Sequence, residues 1–152
     1  MRKLQFDTGV QEFEVNGRGV LRMNPGDINL YNRFMESKDR IAAIEDEMLA
    51  ALKENQTSDE LERGARGLQI MAEADRKAKM LLTEIFGADN DFDEIFDHVN
   101  IMAQAGNGEM VITNFFAAVA PLLKSGAESY AQSKAAAAKM NRAQRRAAAK
   151  QA

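Results

Sequence analysis

One histidine, three closely spaced aspartates, two glycine-bearing turns and a set of C-terminal arginines are the residues of this 152-residue chain whose types and spacing could do chemistry. His98 is the sole histidine, so no cluster of imidazole ligands can form within one chain. A single histidine near a helix end is expected to be a surface or partly buried side chain. Asp89, Asp91 and Asp93 imitate the first ligand positions of a calcium loop. Glu94 stands where such a loop needs glycine, however, and Asn100 where it needs a bidentate glutamate. These acids are better read as solvated groups at a helix start, where they favour the helix dipole. The glycines of "NGRGV" and "GNGE" lack the Lys and Ser/Thr of a phosphate-binding loop and read as turns. With no cysteine there is neither a disulfide framework nor a thiolate metal site. No nucleophile, base and orienting group converge in the sequence. The chain is expected to be no enzyme and to need no cofactor or metal.

The arginines belong to a different kind of feature. Residues 129–152, "SYAQSKAAAAKMNRAQRRAAAKQA", carry Lys134, Lys139, Arg142, Arg145, Arg146 and Lys150 and no acid. Residues 1–128 hold the other 14 basic residues and all 23 acidic ones, a net of −9 against +6 for the tail. Charge asymmetry of this kind marks an interaction tail on a separate body. The tail is rich in good helix formers and is expected to be helical or partly disordered. Its charges suit phosphates or an acidic protein surface. The "NRAQRRAAAKQ" stretch also has the look of an arginine-rich RNA-binding peptide. Only Tyr130 is present to stack on bases, and an acidic body repels phosphates, so nucleic acid is the weaker partner. A solvated helix that aids solubility is the plainest alternative.

At 45% apolar and 28% charged, the composition is that of one globular domain with a real core. The basic N-terminus is followed by no apolar run, which argues against a signal peptide. The longest apolar candidate, "MVITNFFAAVAPLL", is broken by Asn114 and Pro121, so no membrane span is expected. The setting these features point to is the cytoplasm.

The elements that must position any surface are mostly helical. "EFEVNGRGVLRM" predicts a hairpin about Asn16-Gly17. A three-residue loop, Asn16 to Arg18, sets Phe13 opposite Leu21 and Glu12 opposite Arg22. It gathers Phe13, Val15, Leu21 and Met23 on one apolar face, whereas a two-residue loop would mix the faces. Asp27 is placed to cap a helix from Ile28 to about Asn55, with Leu30, Phe34, Ile41, Ile44, Met48 and Leu52 along one stripe and Ser37 in its gap. Thr57 and Glu60 form a capping-box pattern before a second helix, about Ser58 to Phe86, ended by Gly87. Its inner face is read as Met71, Ala74, Ala78, Leu81 and Ile85. Gly64 and Gly67 are expected to permit close packing, against the hairpin for instance. A short helix is predicted around Phe92 to Phe96, then a turn at "AGNG". A last helix from near Met110 turns Val111, Phe115, Ala118, Val119, Leu122 and Leu123 inward and is kinked or interrupted at Pro121. The fold class is therefore mainly α: a short N-terminal hairpin packed on a small bundle of long helices (body, residues 1–128), followed by the basic tail (residues 129–152).

In this order the pieces resemble a known family. "FDTGVQEFEVNGRGVLRMNPGDINLYNRF" and "LLTEIFGADNDFDEIFDHVNIMAQAGNG" are similar to the tail assembly chaperones of long-tailed, siphovirus-like bacteriophages and prophages, over roughly residues 6–125. The basic, Ala-rich ending with "NRAQRR" resembles their tails in composition. The stretch Gly106–Met110 departs from the family's pattern in lacking the Pro and Trp expected there. The resemblance implies a non-catalytic protein of the host cytoplasm that escorts the tape-measure protein, helps tail-tube subunits assemble around it, and is absent from the finished virion. Nine methionines suit such a task, because a flexible thioether adapts to many similar sites. Most are expected in the core. Met71, Met80, Met102 and Met110 are the candidate contacts in the body, and Lys139, Arg142, Arg145, Arg146 and Lys150 those in the tail. Self-association through long apolar faces also fits this pattern. Two other roles fit the residues: an RNA-binding regulator acting through the tail arginines, and a structural or scaffolding component of the virion.

Overall fold

The computed structural model describes residues 1–151, with only the backbone described for Lys150 and Gln151. The order of elements is β1 (Gln11–Val15), β2 (Gly19–Met23), α1 (Ile28–Glu54), α2 (Glu60–Phe86), α3 (Phe92–Ile95) and α4 (Val111–Gln151). The fold is mainly helical with a two-stranded antiparallel hairpin at its N-terminal end, as the sequence pattern predicts.

The hairpin has the three-residue loop. Phe13 faces Leu21 and Glu12 faces Arg22, and the latter pair makes an ion pair of 3.2 Å. Asn16 and Gly17 both take positive φ, 51° and 75°, as tight hairpin turns require. Leu21 and Met23 are buried, and Phe13 and Val15 pack partly against the same core. The sheet does not rest on the glycines of α2. Gly64 has nothing near it, and Gly67 faces Leu52 and Asn55 of the neighbouring helix. The hairpin sits instead at the other end of α2. There the Cα of Ile95 lies 2.7 Å from where a Cβ on Gly19 would be. Asn90 completes the seating: its side-chain carbonyl accepts from Arg22 N–H (2.7 Å) and its amide donates to the carbonyls of Arg22 (3.0 Å) and Phe86 (3.1 Å). A buried asparagine thus takes the place of a third strand beside β2.

α1 and α2 are 27 residues each, about 40 Å at 1.5 Å per residue. Asp27 caps α1. α2 is capped by Asp59, not Thr57, because a carboxylate immediately before the first turn meets both the free N–H groups and the positive end of the dipole. The backbone carbonyl of Thr57 accepts instead from Arg63. Buried positions on α1 include Leu30, Phe34, Ser37, Ile41 and Met48, and the Ser37 hydroxyl donates to Phe34 O at 2.5 Å. On α2 Ile70, not Met71, is the fully buried residue at the start of the stripe that continues through Ala74, Ala78, Leu81 and Ile85.

α3 is one turn, capped by Asp91 and closed by paired hydrogen bonds, His98 N–H to Asp93 O and Asp97 N–H to Glu94 O. That pattern is a Schellman motif, and Asp97 fills its left-handed position with φ 52°. The "AGNG" turn closes a small antiparallel bridge between Gln104 and Met110, with Ala105 N–H donating to Glu109 O at 2.7 Å. α4 then turns inward through Ile112, Phe115, Val119 and Leu123, not through Ala118 and Leu122, which are exposed. Phe116 meets Phe34 edge-on at 5.2 Å, and Phe115 meets Phe86 and Phe96 at 5.8 and 5.1 Å. Pro121 neither ends nor interrupts the helix. It and Ala117, whose carbonyl it deprives of a donor, both face solvent, where water can satisfy that carbonyl. From Ser129 to Ala149 every side chain is exposed.

Candidate partner-binding surface

Three groups of residues are candidates for a binding surface: the four methionines, the tail cations, and apolar side chains the fold leaves in water. The methionines are not gathered. Met102 is 2% exposed in the core beside Ile101. It is a packing residue and presents nothing to a partner, because the 100–103 turn is folded under α4 by Val111 N–H to Ala103 O and Ile112 N–H to Ile101 O. Met71 and Met110 are half-buried and pack on the same core. Met80 is 55% exposed, in a shallow groove between α1 and α2 that also holds Arg40, Ala43, Ile44 and Glu84. Lys139, Arg142, Arg145 and Arg146 are exposed along α4, while the side chain of Lys150 lies outside the described residues.

One exposed apolar surface of the helical body was missed by sequence reasoning. α4 and the 90–110 segment cover only the half of the α1–α2 pair nearest the hairpin. Asn100 donates to Met71 O (3.1 Å), and Asp75 accepts from Ile101 N–H (2.8 Å). On the far side of that seam, α2 exposes Leu61 (85%) and Leu68 (75%), and α1 exposes Leu49 (52%). Leu61, Gly64, Leu68 and Met71 recur at spacings of 3, 4 and 3 and lead into Asp75, so they share the face on which the turn sits. We call this two-helix projection, residues 42–73, the arm. Leucines in an amphipathic helix read as core, which hides such a surface from a reading of periodicity. The available signal is that Leu61 and Leu68 fall off the register of Ala74, Ala78 and Leu81.

Charge is arranged around this geometry. Residues 42–73 hold eight acids and three bases. The one buried cation among the described residues, Lys79, is 8% exposed and lies between Asp75 (2.9 Å) and Asp93 (2.8 Å). Burial pulls its pKa down, but hydrogen bonds to Asp93 and Asp75 outweigh that and leave it raised. The Lys79 hydrogen bond holds the Asp93 carboxyl below its ordinary value. Asp91 caps α3, Asp93 serves this ion pair, and Asp89 is exposed. His98 is an exposed side chain 3.7 Å from Glu94. Among the described residues no group of three or more acidic, histidine or cysteine side chains is placed to hold a metal, and no helix is long and apolar enough to cross a membrane. The chain matches no protein-family model, no curated protein and no solved structure.

Proposed function

We propose that the chain is a non-catalytic assembly chaperone of the bacteriophage-tail type, holding helical segments of a tape-measure protein before tail-tube subunits close around it. The observation that carries the reading is the uncovered arm, where Leu49, Leu61 and Leu68 stand in water on a two-helix scaffold. A client helix with apolar residues at i, i+3, i+4 and i+7 lies along such a surface, and leucines flanked by glycine let its backbone approach closely. Isolated exposed leucines are ordinary, but three on one projecting arm are what a docking surface presents. The order of motifs that resembles this family supplies the identity of the client and the expectation of a host-cytoplasmic protein absent from the finished particle.

The test is affinity purification, with RNase, from cells expressing the tail genes alongside the protein. The tagged chain should retain the tape-measure protein, and Leu61→Glu/Leu68→Glu should lose it with little change in melting temperature, because both side chains are already solvated. Equal retention by the double variant would remove the arm from the mechanism. A second reading, an RNA-binding regulator, is favoured by the exposure of Arg142, Arg145 and Arg146. It predicts recovery of RNA that weakens steeply with salt and vanishes on substituting those arginines. Recovery of the chain in purified particles would favour a structural or scaffolding role instead.

A further inference from the structure

The basic residues of α4 are not scattered around it. At 100° per residue, Lys134, Lys139, Arg142, Arg145 and Arg146 fall within about 140° of arc, and all five are exposed. Beside that arc runs a narrow seam of Ala136, Met140, Ala143 and Ala147, spaced 4, 3 and 4, with Met140 64% exposed. The tail is therefore an amphipathic helix with a cationic side and a small apolar side, and neither is covered.

The arm is its complement. It carries a net charge of −5 over residues 42–73, from eight acids and three bases. Its uncovered face includes Gly64, where an added Cβ would meet nothing within 4 Å. The seam from Ala136 to Ala147 spans about 17 Å and the face from Leu61 to Met71 about 15 Å at 1.5 Å per residue, so the two surfaces match in length as well as in sign. A helix lying there would continue the third layer that α4 supplies over the other half of the pair.

The tail of the same chain cannot do this. α4 runs against α1, crosses the Pro25-Gly26 turn at Gly126 and keeps Tyr130 beside Asn24, Ile28 and Asn29, so the residues beyond Tyr130 leave the body past the end where α1 begins. The arm is at the opposite end. The tail and the arm point away from each other.

We propose that the cationic face of one copy's C-terminal helix docks on the acidic arm of a second copy, joining chains head to tail. The contact is heterologous: each copy offers its tail to one neighbour and its arm to another, which builds a ring if the rotation closes and an open array if it does not. Copy-to-copy docking needs no client and holds whether or not the arm also binds one.

The experiment uses the full chain, freed of nucleic acid, with mass measured by light scattering across protein concentration and salt. Wild type should grow with concentration into multimers and dissociate as salt rises, because charge pairs at an open interface are screened. Arg142→Glu/Arg145→Glu/Arg146→Glu should weaken association at least tenfold. Mixing it with the arm-reversed chain, Glu45→Lys/Glu60→Lys/Glu62→Lys, should restore pairing. The chain has no cysteine, so Leu68→Cys and Ala143→Cys allow a direct reading. A mixture of the two single variants should crosslink as dimers, and the double variant as a ladder. A chain monomeric at every concentration would overturn the proposal, as would association indifferent to the arginine reversal or crosslinks only between like cysteines. So would a reversal that strips bound RNA from the purified chain yet leaves the mass of the RNA-free protein unchanged.

Discussion

Gly126 on α4 lies against the carbonyl of Pro25, so near that any side chain at 126 would overlap it. That approach fixes where the last helix passes the body. It also explains a glycine in the middle of a helix, where alanine would otherwise be favoured by about 1 kcal/mol. Gly126→Ala should therefore destabilise by about 1–3 kcal/mol despite its better propensity, since the neighbour it meets is backbone and cannot rotate away. Gly64→Ala, with open space around it, should instead stabilise by about 0.5–1 kcal/mol. Thermal melts of the pair should move in opposite directions.

Asn90 joins β2 to the end of α2 through hydrogen bonds to Arg22 and Phe86. Asn90→Ala leaves the buried Phe86 carbonyl and the part-buried Arg22 backbone groups without this partner and should cost about 2–3 kcal/mol. Asn90→Asp should be nearly as damaging, because a carboxylate cannot donate to the Arg22 and Phe86 carbonyls. Urea unfolding of the two variants checks both statements.

Lys79 makes stability depend on pH at two limits. The Asp93 pKa is depressed, so its contribution is complete above the unfolded carboxylate value of about 3.9 and is lost as pH falls through the lower folded value. The Lys79 pKa is raised, so its contribution is complete below about 10.4 and is lost as pH rises through the higher folded value. Lys79→Met should accordingly be less stable than wild type by roughly 3 kcal/mol near neutrality. The gap should narrow as pH falls below about 4 and as it rises above about 10.5. A gap constant from about pH 3 to about pH 11 in urea titrations would show that packing, not charge, is lost.

Two methionines among the candidate contacts should separate cleanly. Met102→Ala opens a cavity in the core and should cost about 2–4 kcal/mol. Met80→Ala, at 55% exposure, should lie within about 0.5 kcal/mol of wild type. Chemical denaturation distinguishes them, and loss of client by Met80→Ala alone would bring the α1–α2 groove into the binding surface.

The hairpin was legible to the residue because period-two alternation and one opposite-charge pair leave a single register that keeps Phe13, Val15, Leu21 and Met23 together. The start of α1 and the end of α2 were legible from Asp27 and Gly87, residues whose chemistry bounds a helix, while the start of α2 was read at Thr57 where Asp59 is the cap. What was not legible depends on distant partners. A stripe such as Met48–Leu52 looks the same whether one helix or two cover it, so the bare arm left only the off-register Leu61 and Leu68 as its mark. Ile70 and Met71 are adjacent and both apolar, and only the position of α1 decides which is buried. The continuity of α4 through Pro121 turns on which side of the helix meets water. The Gln104–Met110 bridge is held by a few contacts across a glycine turn, too short to leave a pattern.

The Asn90 clamp also sets an order of events. Its hydrogen bonds join the strand ending at Met23 to the last turn of α2, sixty and more residues later in the chain. The strand pair thus keeps this seat only while that last turn of α2 is formed. In amide exchange, the N–H of Arg22 should report the detachment of the hairpin as a separate, lower-energy opening, while the amides around Leu81 and Leu82 wait for the whole molecule to unfold.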